Sequence, residues 1–165
     1  IAAGAMIVSG CLTASRARRS VDLPVLVVIA ASFALGNAMT ETGAAQWVAG
    51  LLLGWGPLTP WVALAMVYVL TAVFTEVITN NAAAVLMFPI AMAVSEQLGV
   101  SVLPFAIAVM FAASASFITP LGYQTNLMVY GPGRYQFLDY VRIGVPLSLL
   151  VGVIAILTIP LFWEL

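Results

Sequence analysis

The chain has 165 residues, of which 64% are hydrophobic and only 7% are charged. About a quarter of the residues in a soluble domain are charged, so this composition predicts an integral membrane segment and excludes a water-soluble globular domain. The net charge of −1 also excludes a nucleic-acid-binding protein, because such proteins present a basic surface to the phosphates.

The chain begins with Ile1, inside an apolar run, and not with Met. Because no positively charged residues precede that run, it does not resemble a signal peptide. We therefore expect the chain to be the C-terminal fragment of a longer protein.

Charged residues divide the sequence into uncharged stretches whose lengths predict helices. The stretches 23–40 and 143–163 each fit one membrane crossing, which needs about 20 apolar residues. The stretches 42–75 and 97–133 are too long for one helix. They contain the helix breakers Gly54, Gly56, Pro57, Pro60, Pro120, Gly122, Pro132 and Gly133. We predict an all-α membrane fold, since the strands of a membrane barrel would alternate apolar and polar residues.

Arginine and aromatic residues predict the orientation of the chain in the membrane. The positive-inside rule places two arginine clusters on the cytoplasmic side, namely Arg16, Arg18, Arg19 and Arg134, Arg142. An even number of crossings must then separate the clusters. Aromatic belts agree, with Tyr130, Tyr135 and Tyr140 at the inner interface and Trp47, Trp55, Trp61 and Trp163 at the outer one. The sequence therefore predicts a multi-pass protein of the cell membrane (inner or plasma) with its C-terminus outside.

A first polar stretch, residues 75–81, places five polar side chains between two apolar arms. It is either a cytoplasmic turn between two full crossings, where Asn caps the next helix, or the tip of a re-entrant hairpin that enters and leaves from outside. Both interpretations keep the number of crossings even, so the arginines do not decide between them. Glu76 is the only carboxylate well inside a hydrophobic stretch, and it is either a proton-coupling group or a structural one.

A second polar stretch, residues 114–126, contains Pro120 and Gly122, which together can unwind a helix. Unwound carbonyls coordinate cations well. The alternative is a kinked helix whose Ser and Thr hydroxyls bond back to its own carbonyls. Two such interruptions in one membrane segment are typical of a transporter binding site.

Two motifs resemble those of the divalent anion:sodium symporter (SLC13-type) family, namely TEVITNNA at 75–82 and TPLGYQTN at 119–126. Their forms are most similar to the branch of sulfate permeases, which often carry TrkA-C domains. The resemblance implies the second inverted repeat of a transporter, with a re-entrant helical hairpin and a broken transmembrane helix. Its segments would be crossings at 1–15 and 23–40, an interfacial helix at 44–53, the hairpin at 60–97, the broken helix at 101–130 and a last crossing at 137–163.

The resemblance also implies binding residues. Sodium would be bound by Thr75, Thr79, Asn80 and Gly122, and the anion by Thr79, Asn80, Asn81, Tyr123 and Gln124. The family usually has Thr where this chain has Asn81, and carboxylate carriers tend to have Thr and Pro where it has Tyr123 and Gln124. These departures favour sulfate over a dicarboxylate. The N-terminal repeat of the same protein and a second copy in a homodimer are the implied partners.

We therefore expect secondary active transport of a divalent anion, with sulfate preferred, coupled to sodium by alternating access. The alternatives are a dicarboxylate or citrate:sodium symporter, a proton-coupled anion exchanger that uses Glu76, and a non-transporting structural membrane subunit. An enzyme is not expected, because the chain has no His, a single Cys and no base beside any Ser.

Overall fold

A computed structural model describes residues 2–11, 13–20, 23–54 and 59–165. Every regular element in these ranges is a helix, which confirms the all-helical class for the described part of the chain. Trp55, predicted at the outer interface, and the predicted breakers Gly56 and Pro57 lie outside the described residues. The chain forms two compact units, residues 1–31 and 32–165.

The first unit contains two short helices and the start of a third. Helix α1 (Ala2–Val8) is followed by Gly10 in the left-handed region, at φ 75°. Helix α2 (Ala14–Arg19) carries one arginine cluster, and the Thr13 hydroxyl accepts a hydrogen bond from the backbone N–H of Arg16 at 3.4 Å. Helix α3 (Leu23–Glu41) follows. The predicted first crossing at 1–15 thus contains a seven-residue helix and a turn, and its crossing of the membrane stays a prediction.

The described residues of the second unit form six further helices, most of which pack around an apolar core. They are α4 (Ala44–Leu53), α5 (Pro60–Thr75), α6 (Asn80–Leu98), α7 (Val102–Ser114), α8 (Gln124–Tyr130) and α9 (Phe137–Phe162). Helix α5 packs against α6, α7 and α9, and α6 packs against α4 and α7. The core is rich in alanine, including Ala63, Ala83, Ala91, Ala108 and Ala112. Small side chains let helix backbones approach closely in a membrane, and this brings the ends of α5 and α7 together.

Helix ends follow local sequence signals. Pro60 begins α5, where a missing N–H has no consequence. The Thr79 hydroxyl caps α6 by accepting from the N–H of Ala82 at 3.4 Å, and Ser101 caps α7 in the same way. Helix α6 ends at Gly99, which has φ 67° and takes the left-handed conformation at no steric cost.

Two of the described helices, α6 and α9, are long and apolar enough to cross a membrane. Helix α7 has 13 residues and is therefore about 20 Å long, shorter than the hydrocarbon core of about 30 Å. If α7 crosses the membrane, the crossing must therefore also include the non-helical segment that follows it and α8.

Candidate functional site

The hairpin turn, residues 76–79, connects α5 to α6. Thr75 ends α5 fully buried, and the next residue, Glu76, is 7% exposed. The chain then reverses through a tight turn, in which the N–H groups of Val77 and Ile78 donate to the carbonyl of Phe74. The turn therefore places one hydroxyl and one carboxylate inside the second unit, although the arms around them are apolar.

The unwound segment, residues 115–123, separates α7 from α8. Its fold is held partly by Asn126, whose amide donates to the carbonyls of Ser116 and Thr119, at 3.3 Å each. The Tyr140 hydroxyl of α9 donates to the carbonyl of Asn126 at 3.0 Å. The carbonyls of Ser116 and Thr119, which lie in the unwound segment, thus receive side-chain donors.

Glu76 joins the hairpin turn to the unwound segment. Its Oε1 accepts from the N–H groups of Phe117 and Ile118 at 2.9 Å each, and its Oε2 accepts from that of Thr119 at 2.7 Å. In return, the Thr119 hydroxyl donates to the carbonyl of Glu76 at 2.7 Å. The Ser116 hydroxyl donates to the carbonyl of Thr75 at 3.2 Å.

Oxygen atoms from both segments meet around the side chain of Asn80. The Thr75 hydroxyl donates to the carbonyl of Ala113 at 2.7 Å. When the Asn80 amide nitrogen faces the cluster, it donates to the carbonyl of Gly122 at 3.0 Å, to Thr75 Oγ1 at 2.9 Å and to the carbonyl of Ala113 at 3.2 Å. When the amide is turned round, its oxygen accepts from the Thr75 hydroxyl at 2.9 Å. The Asn80 amide is therefore the common partner of three oxygens.

Gly122 is a glycine because the unwound segment approaches α5 too closely for a side chain. A Cβ at this position would overlap Ser116 Oγ and the carbonyl of Thr75. Its φ is not in the left-handed region, so the requirement is for space.

The structure brings together three of the four predicted sodium ligands, Thr75, Asn80 and Gly122. The hydroxyl of the fourth, Thr79, is used as the cap of α6. Three of the predicted anion ligands are exposed, namely Asn81, Tyr123 and Gln124. Within the described residues, the side chains of these three make no hydrogen bond, so they are available to a ligand.

Four groups at the site are not predicted from the sequence, namely the carbonyl of Ala113 and the side chains of Ser116, Thr119 and Asn126. Ser116, Thr119 and Asn126 lie in the polar stretch 114–126, and the density of Ser, Thr and Asn around Pro120 was the available signal. The Ala113 carbonyl had no signal, since an alanine inside an apolar helix gives none.

The donors of this cluster are hydroxyl, amide and carbonyl oxygens. In the described part of the chain, no three His, Cys, Asp or Glu side chains lie together as they would to hold a metal ion. The cluster is thus unlike a zinc site, which uses thiolate, imidazole and carboxylate ligands, and it resembles the unwound-helix sites that coordinate alkali cations in transporters.

Comparison with known proteins places these motifs in a transporter family. A family model described as "Citrate transporter" (CitMHS) matches residues 1–164. An "Uncharacterized transporter sll0640" of Synechocystis is 44% identical over 148 residues, which cover 89% of this chain and 24% of that protein. "Probable sodium/sulfate cotransporter 3" of Chlamydomonas reinhardtii is 39% identical over 162 residues, covering 94% of this chain and 18% of that protein.

A more distant relative is named for a different substrate. "Sodium-dependent dicarboxylate transporter SdcS" of Staphylococcus saprophyticus is 26% identical over 140 residues, covering 84% of this chain and 27% of that protein. The chain therefore spans about a quarter or less of the length of these relatives.

Proposed function

Because the chain belongs to the citrate transporter (CitMHS) family, we propose that it is the part of a secondary active transporter that binds sodium and a divalent anion. The preferred anion is sulfate, and transport proceeds by alternating access. The observation that carries the proposal is the meeting of the hairpin turn and the unwound segment around Asn80.

Sodium binds between the two segments in this proposal. With the Asn80 amide oxygen turned inward, that oxygen faces the carbonyls of Gly122 and Ala113 and the Thr75 hydroxyl. Oxygens that gather in this way repel one another unless a donor or a cation lies among them. Sodium supplies that cation, with Thr75, Asn80 and Gly122 as ligands and Thr79 beside them. The sodium/sulfate and sodium-dependent names of the relatives support the choice of ion.

The anion binds on the exposed side of the same cluster. Asn81, Tyr123 and Gln124 are exposed there, and their amide and hydroxyl groups can donate to oxyanion oxygens, together with Thr79 and Asn80. Helix α6 begins at Asn80, and its free N–H groups favour negative charge. No Lys or Arg lies in 75–81 or 114–126, so the bound sodium supplies the positive charge that the anion needs.

The proposed architecture is the second inverted repeat of the transporter. In it, α5 and α6 form a re-entrant hairpin entering from outside, α7 and α8 are the halves of one broken crossing, and α9 is the last crossing. Helix α4 lies along the interface, and 1–15 and 23–40 are crossings of a scaffold part. The other half of the transporter, and a second copy in a homodimer, complete the protein.

Sulfate uptake into proteoliposomes that contain the full-length protein tests the proposal. We expect labelled sulfate to enter under an inward sodium gradient but not under a choline gradient, and unlabelled succinate to leave this uptake unchanged. Uptake that succinate blocks would move the substrate to dicarboxylates, as the name of the Staphylococcus relative suggests. Uptake driven by protons without sodium would contradict the coupling, and a lack of any uptake would favour a structural subunit.

The same assay tests the site through Asn80→Ala. We expect this variant to reach the membrane in normal amount and to lose sodium-dependent uptake, because it removes the common partner of three oxygens. Uptake at the wild-type rate would contradict the assignment of the site. Gln97→Ala is the matched control, because its amide lies at the far end of α6, donating to the carbonyl of Gln46 at 3.1 Å.

A further inference from the structure

Glu76 is the one polar side chain of the hairpin turn that the proposed sodium and anion sites do not use. It is 7% exposed, and both of its carboxylate oxygens are occupied by backbone N–H groups of the unwound segment. The three donors belong to consecutive residues, 117–119, so the carboxylate fits into a concave row of amides. Such rows of amides bind anions, and here the anion is a side chain of the same chain.

The unwound segment needs this partner. An unwound helix leaves N–H groups without carbonyl acceptors, and such groups are costly to bury in hydrocarbon unless protein satisfies them. The N–H groups of Phe117, Ile118 and Thr119 all find their acceptor in Glu76. A single carboxylate in the hairpin turn therefore stabilises the break between α7 and α8.

The contact extends from Glu76 to Gly122. The Thr119 hydroxyl donates to the carbonyl of Glu76 at 2.7 Å and accepts from the N–H of Gly122 at 3.3 Å. The carbonyl of Gly122 then lies 3.0 Å from the Asn80 amide. Thr119 therefore links Glu76 to the cluster: its N–H bonds to the carboxylate of Glu76, and its hydroxyl bonds to both the Glu76 carbonyl and the N–H of Gly122.

We propose that Glu76 is a positioning residue, which holds the unwound segment against the hairpin turn and so sets the position of the Gly122 carbonyl at the sodium site. The hairpin turn and the unwound segment then form one rigid unit that binds sodium. This inference rests on the proposed function for its sodium readout, but the contact itself can be tested without transport.

Glu76→Gln in the full-length protein is the test. Gln keeps the size of the side chain but offers one oxygen and turns an NH2 group toward amide N–H donors. We expect the concentration of sodium for half-maximal sulfate uptake to rise about tenfold or more, since hydrogen bonds to a charged acceptor are lost. Glu96→Gln is the matched control, because it removes a carboxylate from the exposed surface of α6 and should leave that concentration unchanged.

Amide hydrogen exchange of the peptide covering 115–123 is the second readout, and it does not depend on transport. We expect exchange in this peptide to be about tenfold faster in Glu76→Gln than in the wild type and in Glu96→Gln, because at least one of the three N–H groups loses its acceptor. A wild type without sodium-dependent uptake would contradict the proposed function, while the exchange rates would still decide the role of Glu76.

If Glu76→Gln does not fold, Thr119→Val tests the same contact with the same two measurements. Valine has the shape of threonine but lacks the hydroxyl that links Glu76 to Gly122, so we expect a smaller rise in the sodium concentration, about threefold, and faster exchange in 115–123. Its control is Thr158→Val, since among the described residues the Thr158 hydroxyl bonds only to carbonyls of its own helix. Unchanged exchange in 115–123, or a sodium concentration within about twofold of wild type, would overturn the inference.

Discussion

Backbone atoms supply many of the polar groups that form the proposed site. The carbonyls of Ala113 and Gly122 face Asn80, and three backbone N–H groups face Glu76. Side-chain chemistry is sparse here, because a membrane segment with 7% charged residues has few side chains that can bind an ion. An irregular backbone supplies the missing polar groups, because its N–H and C=O groups are not all paired within a helix.

Gly122→Ala is the substitution that tests this use of the backbone. Its Cβ would overlap Ser116 Oγ and the carbonyl of Thr75, so the unwound segment must move away from α5. We expect destabilisation by about 1–3 kcal/mol and loss of sodium-dependent sulfate uptake, measured in proteoliposomes beside the melting temperature of the purified protein. Gly131→Ala is the control, since a Cβ at Gly131 would meet no atom within 4 Å. Normal uptake by Gly122→Ala would show that the close approach is not needed.

The elements around the site explain why the unwound segment keeps one shape. Helix α7 and the hairpin helices α5 and α6 pack closely through alanines such as Ala108 and Ala112. Helix α9 closes the other side of the segment, where Gly144 is buried against the backbone of Phe117 and Ile118. The break is therefore held between helices, the arrangement that non-helical backbone would need at membrane depth.

Gly144→Ala tests the contact between α9 and the unwound segment. Its Cβ would overlap the carbonyl of Phe117, and Phe117 is one of the residues whose N–H donates to Glu76. Although alanine favours helices over glycine, we expect a loss of about 1–3 kcal/mol from overpacking and lower sodium-dependent uptake. Gly50→Ala on α4, where a Cβ would meet nothing within 4 Å, should be neutral or slightly stabilising. A melting temperature of Gly144→Ala equal to that of Gly50→Ala would contradict the prediction.

For the whole molecule, the membership of a transporter family confirms the resemblance to the divalent anion:sodium symporters and the expectation that the protein is not an enzyme. The topology stays a prediction, carried by the two arginine clusters and the aromatic belts. Helices α6 and α9 have the length and composition for crossing, but length does not give the side of the membrane on which each end lies.

Thiol labelling of the full-length protein in intact cells tests the topology. All native cysteines, Cys11 among them, are replaced by serine, and single cysteines are placed at Ser20 and Glu164, both of which are exposed. We expect a membrane-impermeant maleimide to label the cysteine at 164 at once and the one at 20 only after the membrane is permeabilised, because arginine-rich segments stay in the cytoplasm. The reverse pattern would contradict the predicted orientation.

The sequence by itself determined the membrane class, the all-helical fold and the family, because composition, breaker positions and the two polar motifs are local properties of the chain. The resemblance of the two polar motifs to a known family also singled out Thr75, Asn80 and Gly122 as ligands. Only the tertiary structure decided three contacts. The Glu76 carboxylate accepts hydrogen bonds from residues 117–119, the Ala113 carbonyl faces Asn80, and α9 packs closely against the backbone of Phe117. These contacts join residues that are distant in the sequence, 41 to 43 positions for the bonds of Glu76. They also involve backbone atoms, which are the same at every residue, so no pattern of side chains could have located them.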